Sequence, residues 1–369
     1  MSKNLAIIGA SYLQMPLIEK AQMMGYTTHV FAWADNDVGE TAADFFYPIS
    51  IVELDQITDK CREIGICGIC SIASDLASIT VNYVANKLGL IGNSMDSVYK
   101  STNKHLMRLA FEHYNDPSPK SVLVDGNTDL NTLNIEYPVI VKPTDRSGSR
   151  GIYKVVSKNS LAEAVRYALD EGFEKKALVE EYVDGQEYSV EGISYRGEHH
   201  ILAMTLKYTT GAPHFIETGH LEPAPVGDET FEKVSEIIIH ALDSLEIKNG
   251  ASHSEIKIAE DGKVNIIEIG GRMGGDCIGS DLVRYSTGID YVRAVIQIAC
   301  GKTPDLKPIN AGVPVSSHFI ISDDDLNEMK QFQKQHPDRF LKLAYFKQEF
   351  LNKATNSGDR AGCYIIKEA

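Results

Sequence analysis

Glu255 and Glu268 are the residues whose type and spacing most directly imply chemistry. They lie in HSEIKIAEDGKVNIIEIGGRMGGD, positions 253–276, where strand-like runs at 254–258 and 263–269 flank Asp261-Gly262, a strong short-range hairpin signal. With Asp261 and Gly262 as a two-residue loop, Glu260 faces Lys263, and counting back puts Glu255 opposite Glu268. Opposed side chains on one face of a sheet sit roughly 5 Å apart, and like charges so placed repel. A cation between them removes the repulsion. Two carboxylates without softer ligands suit Mg2+, which fills its octahedron with phosphate oxygens and water. A solvated acidic hairpin face, or a register slip, is the alternative. Next comes Gly270-Gly271-Arg272-Met273-Gly274-Gly275, where backbone N–H groups and a guanidinium can approach an anion closely. A metal pair followed by an anion loop points to phosphate chemistry.

The chain must build elements that hold those groups, and its 369 residues suffice for two or three domains with real cores. A formal net charge of −15 argues against a nucleic-acid partner, which needs a basic face, but leaves a nucleotide ligand open. No apolar run reaches the roughly 20 residues that span a bilayer, and MSKNLAIIGAS lacks a signal-peptide profile, so the expectation is a cytoplasmic protein without membrane association. Cysteines stand at 61, 67, 70, 277, 300 and 363. Cys67-Gly-Ile-Cys70 has CxxC form but sits in the apolar run 66–72. Strand alternation would aim the two thiols at opposite faces, a poor zinc or redox geometry, and buried thiols are expected.

Residues 4–9, a helical pattern at 13–24, a strand at 27–33, a helix at 53–64, a strand at 66–73 and a helix at 76–88 alternate as in a parallel, doubly wound sheet. Gly9-Ala-Ser11 is not the glycine fingerprint of a dinucleotide site. Asp75 follows a strand, where open sheets place ligands, and equally suits an N-cap for the next helix. A boundary falls near Gly92-Asn93-Ser94. The strand 137–142 ends in Lys142 and runs into Asp145-Arg146-Ser147-Gly148-Ser149-Arg150-Gly151, a flap whose bare N–H groups can cradle phosphate, with a plain exposed hairpin loop as the alternative. Strands are expected at 177–182, 187–193 and 201–208, the last carrying Lys207. HFIETGHLEPAP, 214–225, holds two histidines without regular periodicity and reads as a loop over a cleft. A helix covers 231–245, and 279–285 and 291–300 also read as helical. In the tail, strands are expected at 313–321 and 360–367 and a helix at 323–334.

In this order the motifs resemble the ATP-grasp superfamily over nearly the whole chain. The resemblance rests on Lys104 in NKHLMRLAF, Lys142 in VIVKPTDRSGSRG, the hinge Glu180-Glu181-Tyr182-Val183, Glu187 in GQEYSVEG, and Glu255 with Glu268. It implies an α/β Rossmann-like N-terminal domain at 1–93 and a two-lobed α+β ATP-grasp fold at 94–300, with lobes of about 94–180 and 181–300. A segment at 301–369 would pack on that body. ATP would be held by Lys104, Lys142, Ser147, Gly148, Ser149, Glu180, Glu181, Val183, Glu187 and Lys207. Mg2+, or Mn2+ in its place, would sit on Glu255 and Glu268. HSEIK, IIEIGGRMGGD, FIETGHLEPAP and DRAGCYII look like the carboxylate–amine ligases near the L-amino acid ligases and carbamoyl-phosphate-synthetase-like proteins. That likeness implies amide- or peptide-bond formation through an acyl phosphate, from a small carboxylate and an amine, with a homodimer in keeping with the superfamily. Lys207, Arg272 and Gly275 would act in catalysis, and His220, His253, Arg272 and Gly274 would contact substrate. Many members carry an asparagine as third metal ligand where this chain has Gly270. Carboxylation or carbamoyl-phosphate-type chemistry, and nucleotide binding without catalysis, are the competing readings.

Overall fold

The computed structural model describes residues 3–148, 150–211 and 216–369. Four short strands open the chain: β1 (Asn4–Ile8), β2 (Thr27–Phe31), β3 (Phe45–Tyr47) and β4 (Gly68–Cys70). They pair in parallel in the order β3-β2-β1-β4, as the alternating apolar runs and helical patterns require. β1 is buried along most of its length because helices cover both of its faces.

A small second sheet, β5 (Ser121–Asp125), β6 (Val139–Pro143), β7 (Tyr153–Val155) and β8 (Lys176–Glu181), runs in the order β5-β8-β6-β7. The amphipathic helix Leu161–Glu171 covers one face with Leu161, Ala164, Val165 and Ala168. The third sheet has eight strands: β9 (Gln186–Tyr195), β10 (Glu198–Thr209), β11 (Glu217–Glu222), β12 (Gly250–Ile258), β13 (Val264–Gly270), β14 (Val315–Ile320), β15 (Phe340–Phe346) and β16 (Gly362–Lys367). Its order is β13-β12-β9-β10-β11-β14-β16-β15, so the last three strands of the tail extend the sheet begun by β9.

Several local expectations change. The stretch 214–225 is not a free loop: Glu217–Glu222 is β11, hydrogen-bonded to β10 on one side and β14 on the other. Its polar side chains hide the alternation, because buried ions and hydroxyls from elsewhere compensate them. His214 lies outside the described residues. The hairpin β12–β13 also turns differently. Ala259 N–H donates to Lys263 O and Gly262 N–H to Ala259 O, which makes a three-residue loop with Gly262 at φ 79°. That loop offsets the register by one residue, pairing Ile256 with Ile266. A bulge then restores it, because Ile267 is the extra residue on β13, and Glu255 still faces Glu268.

The helix Asp75–Leu88 is capped by Ser74, whose side chain accepts from Ala77 N–H, so Asp75 is not the cap. The 279–285 region is a π-helical turn, Ile278–Leu282, leading into the short helix Val283–Thr287. All six cysteines are free, and four are buried as expected. Cys67 and Cys300 are half-buried and face one another. Among the described residues, no helix is long and apolar enough to cross a membrane.

Candidate active site

One cavity of about 530 Å3 opens where the three sheets meet. Its walls come from distant parts of the chain: Tyr12 and Asp75, the β6–β7 loop, the β8–β9 connection, the faces of β10, β12 and β13, the loop after β13, and residues 345–360. Of the residues expected at the site, Lys104, Lys142, Ser147, Gly148, Glu180, Glu181, Val183, Glu187, Lys207, His253, Glu255, Glu268, Arg272 and Gly275 all line it. Ser149 lies outside the described residues.

At one end the small sheet contributes Lys142 from β6. Its ammonium is buried against Glu180 of β8, Nζ to Oε1 at 2.5 Å. Arg108, on the helix Lys104–Tyr114, reaches the other Glu180 oxygen at 3.2 Å and donates to Ile267 O at 2.6 Å, where β13 bulges. Glu180 therefore spends its carboxylate inside the wall. Burial alone would raise its pKa, but the two cations outweigh it and hold the carboxyl below its usual range. Burial lowers the Lys142 pKa against the pull of Glu180. Glu181 and Val183 continue along the rim, where Lys257 Nζ donates to Val183 O at 3.2 Å. Lys104 caps the opposite side. Its Nζ donates to Arg146 O in the β6–β7 loop at 2.7 Å and to Glu268 Oε1 at 2.8 Å, which joins the flap to the acidic pair.

The cavity floor is charged. Glu255 and Glu268 face each other across β12 and β13, and each is met by a buried lysine. Lys207 touches Glu255 and Glu217 at 2.8 Å and Glu187 at 3.0 Å. Burial opposes its charge, yet these three carboxylates carry its pKa well above the ordinary lysine value. Glu255 is correspondingly held low: burial works against its charge and Lys207 and His253 outweigh that. No group of three or more His, Cys, Asp or Glu among the described residues is arranged to hold a metal. Two facing carboxylates whose charge already recruits ammonium groups nevertheless fit a hard cation that takes its remaining ligands from phosphate and water.

Beyond the pair lies the glycine loop. Arg272 is clamped by Asp75, Nε to Oδ1 at 2.7 Å and Nη2 to Oδ2 at 3.2 Å, so its guanidinium is oriented by the first residue of the helix Asp75–Leu88 rather than free. Gly274 has no N–H to offer a substrate, because it donates to Glu191 Oε2 at 2.9 Å. Glu191, fully buried on β9, also meets His253 Nδ1, and His253 Nε2 points toward Glu255 at 3.8 Å. Burial disfavours the imidazolium, but Glu191 and Glu255 outweigh it and push its pKa to about 9, so His253 is a fixed cation and not a base at neutral pH.

Two expected residues, Gly274 and His220, do not line the cavity. His220 is buried with Nδ1 3.2 Å from Ser317 Oγ and its ring edge-on to Phe319, and burial lowers its pKa to about 3.

Sequence reasoning offered Asp75 only as a strand-end ligand position or an N-cap, and it missed Glu191, Glu217 and Asp276. Asp75 holds Arg272, and Glu191 holds the Gly274 N–H and His253. Glu217 and Asp276 hold Arg360, whose guanidinium sits 3.7 Å over the Phe319 ring. Arg360 falls in DRAGCYII, but nothing near it in sequence signals partners on β11 and the glycine loop.

These walls enclose one cleft with paired acidic and basic groups along its floor. Residues 135–281 match the ATP-grasp domain family. Over 309 residues it is 28% identical to an alanine–anticapsin ligase of Bacillus subtilis, a match covering 74% of this chain and 65% of that protein. Among solved structures it resembles an L-amino acid ligase from Bacillus licheniformis, with TM-score 0.84 and 23% identity over 100% of this chain and 93% of that one. It also resembles a phosphoribosylglycinamide synthetase from Anaerococcus prevotii, with TM-score 0.78 and 22% identity over 100% and 94%. The chain thus spans just under two thirds of the curated ligase it matches, and these structural likenesses concern the fold.

Proposed function

We propose that this chain is an ATP-dependent carboxylate–amine ligase that forms an amide or peptide bond through an acyl phosphate and releases ADP and phosphate. The observation that carries the reading is the facing pair Glu255 and Glu268, set between buried lysines and an arginine–glycine loop in one cavity. The names of the relatives, an alanine–anticapsin ligase and an L-amino acid ligase, support the same class.

On this reading the rim at Glu181–Val183 takes the base, and Glu187 takes the ribose. Lys104 and Lys142 meet the phosphates under the flap of Arg146, Ser147 and Gly148. Glu255 and Glu268 would hold Mg2+, which when bound neutralises charge developing on the transferring phosphoryl group. Both lysines now bonded to the pair, Lys104 and Lys207, would then turn part of their charge toward phosphate oxygens. The substrate carboxylate attacks the γ-phosphorus, and the amine displaces phosphate from the acyl phosphate. Arg272, oriented by Asp75, and the cationic His253 stand where the acid and its tetrahedral oxyanion need positive charge. Gly275 lines this part of the cavity.

The test is ADP release with ATP and Mg2+ across a matrix of amino acids and small carboxylates, with mass spectrometry of the products. An acid–amine pair that stimulates turnover and yields the condensed mass is expected. Stimulation by bicarbonate alone, with no condensed product, would replace the reading with carboxyphosphate chemistry.

A further inference from the structure

The half-buried cysteines lie far in sequence from one another and outside the cavity. Cys67 immediately precedes β4, and Cys300 caps the helix Tyr291–Ala299. Their sulfurs are 3.8 Å apart. The backbones on either side of the pair are in direct contact: a Cβ added to Gly68 would lie 2.5 Å from Ala299 O, so strand and helix end meet with no side chain between them. The residue before that contact and the residue after it are the two cysteines. Main-chain packing thus holds the two cysteines side by side. The other four cysteines are buried.

We propose that Cys67 and Cys300 are a peroxide-responsive thiol pair, Cys67 the attacking thiol and Cys300 the resolving one. Cys67 gives its proton to solvent, its thiolate attacks one peroxide oxygen, the O–O bond breaks, and the departing hydroxide takes a proton back from solvent as water, leaving a sulfenic acid at Cys67. The Cys300 sulfur attacks that sulfenic sulfur, its S–H proton leaves with the hydroxyl as a second water, and a disulfide closes. A dithiol reverses the step. The surroundings favour this division of labour. The neighbouring Cys300 thiol, and more weakly the Lys302 ammonium, bring the Cys67 pKa down to about 7 against the effect of burial, while Cys300 is pushed up. Lys302 is itself fixed by Tyr26, Nζ to Oη at 2.8 Å. The bond would staple the N-terminal parallel sheet to the helix behind the large sheet, without touching the cavity.

The full-length reduced chain is treated with hydrogen peroxide, alkylated, digested and analysed by mass spectrometry. The expected product is one linked peptide pair joining Cys67 to Cys300, short of two hydrogens and restored by dithiothreitol. The four buried thiols remain available for alkylation after denaturation. In Cys300→Ser, Cys67 stops at a sulfenic acid that dimedone traps. Two unreacted thiols, a link from Cys67 to Cys70, or sulfonic acids without any linked peptide in the wild-type chain would each overturn the proposal.

Discussion

At the scale of single residues, the floor of the cavity is a balance of opposite charges in which no group stands alone. Lys104 and Lys207 neutralise Glu268 and Glu255, Asp75 orients Arg272, and Glu191 holds His253. Buried ions of this kind persist only with partners, because an unpaired one loses its hydration without return. If the acidic pair holds the cation of the reaction, Glu268→Gln and Glu255→Gln should each lower the rate of ADP formation by about a hundredfold or more. Far-UV circular dichroism should be unchanged, since both side chains reach the cavity and neither belongs to the apolar core. A variant with full activity would remove the cation from that position.

At the scale of elements, the loop after β13 depends on glycine at one place and not at its neighbour. A Cβ on Gly274 would come within 2.4 Å of a Glu191 oxygen and 2.7 Å of His253 Nδ1, two groups already committed to each other. On Gly275 the nearest atom is the Ala73 Cβ at 3.4 Å, an ordinary contact. Gly274→Ala is expected to cost about 1–3 kcal/mol in urea unfolding and to depress activity by displacing His253, while Gly275→Ala keeps wild-type stability. Equal stabilities would mean that the loop yields without cost.

The same elements show what could be read in advance. Glu255 opposite Glu268 was legible from Asp261-Gly262, although the loop has three residues and the bulge at Ile267 restores the register it displaces. β11 was not legible. Glu217, His220 and Glu222 look like surface residues, and their partners Arg360 and Ser286 stand 143 and 64 positions away from Glu217 and Glu222. Nor could Arg272 announce that Asp75, 197 positions away, would hold it. Periodicity reports which face is apolar; it carries no signal for polar groups buried in pairs across the fold.

At the scale of the molecule, three sheets share one cleft, and the tail completes it with Tyr345 of β15 and the segment from Lys347 to Arg360. Within this frame Glu222 is fully buried, with hydroxyls of Thr205 and Ser286 donating to it. Burial chiefly, with Glu191 adding to it and the hydroxyls opposing, raises its pKa from 4.5 to about 8. Because the folded-state value is the higher one, this stabilising contribution is complete below about 4.5 and is lost as pH rises through about 8. Unfolding free energy should therefore fall by up to about 5 kcal/mol across that window from this group. Glu222→Gln should flatten the profile in denaturant titrations at several pH values. An unchanged slope in the variant would assign the effect elsewhere.

The central claim is that this cleft activates a carboxylate as an acyl phosphate. The most direct measurement uses an acid that supports turnover, labelled with oxygen-18 in its carboxylate, with analysis of the inorganic phosphate released. The account predicts one labelled oxygen in each phosphate, carried over when the amine displaces the acyl phosphate. Phosphate that gains its extra oxygen from solvent water, with the acid retaining both of its labels, would contradict it.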